Sequence, residues 1–121
     1  MPLPFSLDDA AWTDGVDGLK SWDVTVGSGA AVPAGGRVEC HYTGWLTDGT
    51  VFDSSKTGGQ PITFGLNQVI QGWKAGIPGM KPGGTRRLVI PAAIGYGARG
   101  YPPVIPGNAT LVFEVELIAI K

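Results

Sequence analysis

Residues 38–55 read VECHYTGWLTDGTVFDSS. Val38, Cys40, Tyr42 and Leu46 alternate with Glu39, His41 and Thr43, and Arg37 extends the polar set by one step. Side chains in a strand point alternately to its two faces, so this spacing predicts a strand with the first set inward and the second toward water. Asp48-Gly49 then supplies a strong hairpin signal, and Thr50-Val51-Phe52-Asp53 reads as the returning strand. Two adjacent strands joined by a tight turn must be antiparallel, which sets the expectation for the sheet.

The rest of the chain extends that pattern. From Leu19 a strand begins, with Trp22, Val24 and Val26 on one face and Asp23 and Thr25 on the other, until Gly27-Ser28-Gly29 ends it. After the loop SSKTGGQ comes a short apolar piece, Ile62 to Phe64. VIQGWKAGI then places Val69, Ile70, Trp73 and Ile77 at near-helical spacing, and Pro78 cannot continue the run, so one helix of about two turns is expected. Thr85 to Ile90 reads as a strand. Ala109 to Ile120 reads as a long final one, with Leu111, Phe113, Val115 and Leu117 on one face and Glu114 and Glu116 on the other. Five or so strands against one short helix define an α+β domain with a mostly antiparallel sheet.

Composition bounds the function classes. At 121 residues with 43% apolar content the chain is long enough to bury a core as one domain without disulfide or metal staples. A net charge of -1, with both signs interspersed, offers no basic face for nucleic acid or an anionic membrane. There is a single cysteine, so no intramolecular disulfide can form, a usage that fits a reducing compartment. Neither a secretory signal nor an apolar run long enough to cross a bilayer is evident, and a cytoplasmic protein is the default expectation. Residues 1–17 lack periodicity and read as a leader arm, loose or docked through Leu3, Phe5 and Trp12; residues 18–121 read as the domain. Asn108-Ala109-Thr110 matches a glycosylation acceptor, a short pattern that means little without a secretion signal.

Residues 91–107, PAAIGYGARGYPPVIPG, are too broken for helix or strand and too oily for an ordinary surface loop. They contain the spacing G-x-G-x-x-G from Gly95 to Gly100. In a dinucleotide-binding turn the glycines open a helix whose N-terminal amides receive a pyrophosphate, and the prolines after Tyr101 forbid that helix. Cys40 and His41 are neighbours on a strand, point to opposite faces and cannot form a nucleophile–base pair. One Cys and one His cannot build a His/Cys zinc site either. Asp53 has two readings: a cap on the turn at Ser54-Ser55, or a polar group on the rim of an aromatic pocket. Tyr42, Phe52, Phe64, Trp73, Tyr96 and Phe113 come from separate elements, and composition does not say that they converge.

Taken in succession, HYTG, FDSS, VIQGW, GYG and ATLVFEVEL resemble the FKBP family of peptidyl-prolyl cis-trans isomerases, the macrolide-binding immunophilins, over roughly residues 18–121. The resemblance implies an antiparallel sheet of five or six strands wrapped around one short helix, with a hydrophobic pocket between them. It implies a monomer that accelerates rotation about X-Pro bonds of unfolded or flexible chains, with macrolides as further ligands and without cofactor or metal. Trp73 would be the floor for a prolyl ring, with Tyr42, Phe52 and Phe113 as walls and Asp53 at the polar end. Phe64, Val69, Ile70, Tyr101, Val104 and Ile105 would complete the pocket as substrate-binding residues. The Ile70 amide and the Tyr96 hydroxyl would donate to carbonyls flanking the ring, and Val104 and Ile105 would line one side.

Several positions depart from the family pattern: Gly58 where a basic residue often partners the Asp, Ile62 where an aromatic is common, Gln68 in place of an acid, and Tyr101 where a His is familiar. Two functions are open on the sequence, a prolyl isomerase and a non-catalytic module of the same fold that grips proline-containing partners.

Overall fold

The computed structural model describes residues 12–55, 59–101 and 104–121. Among these residues seven strands, β1 (Thr13–Asp14), β2 (Lys20–Thr25), β3 (Arg37–Leu46), β4 (Val51–Ser54), β5 (Ile62–Gly65), β6 (Thr85–Ile90) and β7 (Leu111–Ile120), accompany one α-helix, α1 (Gln71–Gly76). The sheet runs β1-β2-β6-β7-β3-β4, and β5 pairs with the first half of β3 on the side that β4 occupies along the second half. Every pairing is antiparallel.

The predicted alternation of β3 holds along its length, with Val38, Cys40, Tyr42 and Gly44 buried and the intervening residues partly or fully exposed. β7 lies opposite it, Tyr42 facing Val115 and Gly44 facing Phe113, so the two longest strands share one inner face. The hairpin after β3 uses a three-residue loop: Gly49 takes φ 93°, its amide donates to the Leu46 carbonyl, and the Leu46 amide donates to the Thr50 carbonyl. This is the turn in which a residue of positive φ, best supplied by glycine, ends the loop and shifts the register of the strands it joins. A separate irregularity lies further along the hairpin, between Gly44 and Trp45, where the pairing passes from Asp53 to Val51 and skips Phe52.

Helix α1 has the expected length of about two turns, with Val69, Ile70 and Ile77 flanking its six residues, and the chain turns at Pro78. Two expectations need correction. The apolar side of β2 is not a core face, since Val24 is 44% exposed and Val26, beyond the strand's end, is 70% exposed. Trp22 instead lies on the outer face, 4.6 Å beneath the Arg87 guanidinium and edge-on to Trp12. The inner face at this edge carries an ion pair, Arg86 to Asp23 at 2.6 Å, and it is Leu19, just before the strand, that enters the core. The sheet also holds one strand more than expected. Thr13 and Asp14, within the segment read as a leader, pair with Ser21 and Lys20 through a turn in which Asp17 and Gly18 both have positive φ.

Helix α1 lies flush against the inner face because two glycines permit it. A Cβ on Gly72 would stand 2.5 Å from Ile90 Cγ2, and one on Gly76 2.8 Å from Leu88 Cδ2. Arg86 fastens the other end, donating through Nη1 to the Gly76 carbonyl at 2.7 Å and the Pro78 carbonyl at 3.2 Å, where a cation complements the helix C-terminus. Gly72→Ala, which raises helix propensity, is therefore expected to destabilise the domain by roughly 1–3 kcal/mol through overpacking. The check is the urea midpoint, and a midpoint that rises contradicts the flush packing. Cys40 is wholly buried, and burial, with a lesser contribution from Glu39, pushes its thiol up to about 12. A disulfide reagent at neutral pH should label it only in denaturant; rapid labelling of the native protein would contradict this packing.

Candidate active site

The sheet and helix enclose a cleft of about 450 Å³ on the inner face, lined by Tyr42, Phe52, Asp53, Phe64, Gln68, Val69, Ile70, Trp73, Tyr96 and Phe113. Five strands or helices and two loops contribute to it: β3 gives Tyr42, β4 Phe52 and Asp53, β5 Phe64, α1 Trp73, β7 Phe113, the loop between β5 and α1 Gln68, Val69 and Ile70, and the loop after β6 Tyr96. Trp73 forms the floor at 4% exposure. Its ring meets Phe64, Tyr42 and Phe113 edge-to-face at 5.2, 5.3 and 5.4 Å, the arrangement that aromatic quadrupoles favour. Phe52 in turn stands edge-on to Phe113 at 5.4 Å.

The walls close because Gly44 is a glycine. A Cβ there would fall 2.6 Å from Phe52 Cζ and 2.8 Å from Phe113 Cε1. Sequence reasoning passed over this residue. The signal was available, since a glycine inside an otherwise well-patterned strand marks a close approach. Gln68 was named only as a departure from the family pattern, yet it also lines the cleft.

Polar groups sit at the rim. The Tyr42 hydroxyl donates to Asp53 Oδ2 at 2.7 Å, which gives Asp53 its pocket-rim reading. Burial raises the Tyr42 hydroxyl above the ordinary tyrosine range, and the hydrogen bond to the Asp53 carboxylate, together with its charge, adds to this. Tyr96 is likewise raised, by burial first and then by Asp53, so both phenols keep their protons through neutral pH. The Tyr42 proton is committed to Asp53, and Tyr96 lines the same cleft. Ile70 caps the start of α1 with φ -57° and ψ 151°, and its carbonyl accepts from the Trp73 and Lys74 amides. Its own amide precedes the first helical turn, where a helix supplies no acceptor.

Ser55, which sequence reasoning left in a turn, is a buried polar residue that anchors this rim. Its Oγ accepts from the Tyr42 amide at 2.7 Å and lies 3.0 Å from His41 Nδ1. Ser54 Oγ donates to the Tyr42 carbonyl at 3.3 Å. These hydroxyls tie the end of β4, and hence Phe52 and Asp53, to β3. His41 is thus occupied on the far side of the strand from the cleft, and Cys40 points into the core, as their neighbouring positions require.

Of the residues expected around the pocket, Tyr101, Val104 and Ile105 do not line this cleft. They line a second cavity of about 280 Å³ that shares Phe52, Asp53 and Tyr96 with it. Gly58 lies outside the described residues. Ile62 is 39% exposed on β5 and lines neither cavity. Among the described residues no three His, Cys, Asp or Glu side chains cluster as a metal site would require, and no helix is long and apolar enough to cross a membrane.

Comparison with known proteins agrees with this geometry. Residues 28–118 match the sequence model of the FKBP-type peptidyl-prolyl cis-trans isomerases. The chain is 53% identical over 100 residues to an FK506-binding protein of Neisseria meningitidis serogroup A, covering 81% of this chain and 92% of that one. It is 52% identical over 106 residues to FK506-binding protein 1 of Dictyostelium discoideum, covering 86% and 99%. Among solved structures, a peptidyl-prolyl cis-trans isomerase from Pseudomonas syringae pv. tomato superposes with a TM-score of 0.87 at 40% identity, covering 94% of this chain and 84% of that one. The aromatic cleft, the sheet that carries it and the sequence thus lead to one assignment: the chain belongs to the FKBP-type peptidyl-prolyl cis-trans isomerase family.

Proposed function

We propose that the cleft takes a prolyl ring onto Trp73 and accelerates rotation about the X-Pro bond in unfolded or flexible polypeptide segments. The observation that carries this reading is the convergence of Tyr42, Phe52, Phe64, Trp73 and Phe113 on one largely aromatic cleft bordered by the Tyr42–Asp53 hydrogen bond.

Rotation must cross a barrier of about 18–20 kcal/mol set by amide resonance, and uncatalysed exchange takes on the order of tens of seconds or more. No bond breaks, so no nucleophile is called for. The planar imide is the more polar state, because resonance separates charge across it. An apolar cleft that strips its water disfavours that state relative to the twisted one. Donation by the Ile70 amide and the Tyr96 hydroxyl holds the flanking carbonyls while the aromatic walls hold the ring, so that binding is tightest in the rotated geometry. Asp53 fixes the Tyr42 ring through its hydroxyl and keeps that wall upright.

The FK506-binding names of the relatives support a macrolide of that type as a competing ligand in the same cleft. The reading includes a monomer in the cytoplasm, supported by a core completed within one chain and by a lone buried Cys40 that needs no partner. The other function open on the sequence, a proline-gripping module without turnover, shares every contact and differs only in rate.

A proline-limited refolding assay separates the two. At micromolar concentration the protein should speed the slow phase, and FK506 should suppress the effect; an unchanged slow phase leaves only the binding module. Among variants, Phe113→Ala and Tyr42→Ala should lower kcat/KM by about tenfold or more, because they remove packed wall. Tyr96→Phe, which removes one hydrogen bond, should cost about three- to tenfold. Since truncating a buried aromatic also costs roughly 3–5 kcal/mol of stability, the assay is run where circular dichroism shows each variant folded. The reverse order would make carbonyl donation the dominant contribution.

A further inference from the structure

The second cavity has a composition of its own. It opens from the prolyl cleft across Asp53 and Tyr96, and its private residues are Tyr101, Val104 and Ile105. Tyr101 is 61% exposed yet fixed. Its amide and carbonyl exchange hydrogen bonds with Ile105 at 2.8 and 2.9 Å, and its ring stands edge-on to Tyr96 at 5.6 Å. Three aromatic rings and one carboxylate therefore border this cavity. Among the described residues no Lys or Arg lines it and Asp53 makes no ion pair.

Each class of neighbouring side chain fares differently there. An acidic one is repelled by Asp53. An aliphatic one packs on Ile105 and Phe52 but draws water from the carboxylate without replacing it, which costs free energy. A guanidinium or ammonium satisfies the Asp53 oxygen left over from Tyr42 and lies against rings whose faces are negative; the planar guanidinium suits both contacts best. We propose that this cavity is a specificity subsite for a cationic residue, arginine foremost, flanking the proline on the Tyr96 side, with Asp53 as its counter-charge and Tyr101 as its aromatic platform. The inference rests on the prolyl reading of the main cleft and adds to it the sequence context of the substrate.

The test uses short peptides in a protease-free exchange assay, with Leu, Arg, citrulline or Glu before the proline, and Leu, Arg or citrulline after it. Citrulline has the shape of arginine without its charge. At low ionic strength kcat/KM for Arg should exceed that for citrulline by about fivefold at one of the two positions, and Glu should fall below citrulline. Half-molar salt should shrink the Arg advantage. The ratio of Arg to citrulline, measured within each variant, should fall to near one in Asp53→Asn and at least by half in Tyr101→Leu. Equal rates for Arg and citrulline at both positions, with the Leu-Pro peptide still accelerated, overturn the subsite and leave the isomerase intact. An Arg advantage that survives in both variants places the cation elsewhere and overturns it too. If the Leu-Pro peptide itself is not accelerated, the isomerase reading fails and takes the subsite with it.

Discussion

The indole of Trp73 is braced on three sides by the rings of Tyr42, Phe64 and Phe113, which belong to three different strands. A helix of six residues is far too short to persist by its own hydrogen bonds. What keeps α1 in place is this clamp, the clearance at Gly72 and Gly76, and the Arg86 guanidinium on its last carbonyls. The same rings that stabilise the helix are the walls and floor of the cleft. Binding surface and core are therefore one continuous aromatic cluster, and the cleft inherits the rigidity of the interior.

Apart from the buried indole N–H of Trp73, the polar groups of the site lie at the margins of that cluster. Burial leaves Tyr42 and Tyr96 protonated, Asp53 holds one of them, and the Ser54 and Ser55 hydroxyls continue the bonding between β3 and β4 where the strand ladder ends. The result is an apolar hollow with fixed dipoles at its edge. Such a site suits a reaction whose barrier lies in charge delocalisation and not in a bond to be cleaved.

Much of this was legible in the sequence, and the exceptions have physical causes. The alternation of β3 and β7 is written directly in Val38 to Leu46 and Leu111 to Leu117, because both strands turn one face to the core, although Val112 on the other face of β7 is buried as well. β2 misleads, since its apolar residues sit near the sheet's edge, where Trp22 is covered by Trp12 and Arg87 in place of core. Periodicity cannot distinguish those two kinds of cover. The convergence of the aromatic residues came only from resemblance, for residues as far apart as Tyr42 and Phe113 meet through register, which no local pattern encodes. The division of the expected pocket in two, with Tyr101, Val104 and Ile105 across the rim, depends on loop geometry and was beyond sequence reading altogether.

The stretch from Tyr96 to Asn108 is closed largely on itself. Tyr101 and Ile105 bond to each other, the Gly100 amide to the Tyr96 carbonyl, and the Asn108 amide to the Gly97 carbonyl. Among the described residues of this stretch, Ile105 is the one whose side chain belongs to the buried hydrophobic core, with Ile94 just before it. Its shape is therefore set within the loop, and its tight point is a glycine: a Cβ on Gly100, whose φ is already positive, would stand 2.5 Å from the Ile105 carbonyl oxygen. A side chain there would displace the Tyr101–Ile105 rim while the Trp73 floor, braced by rings from three strands, stayed in place.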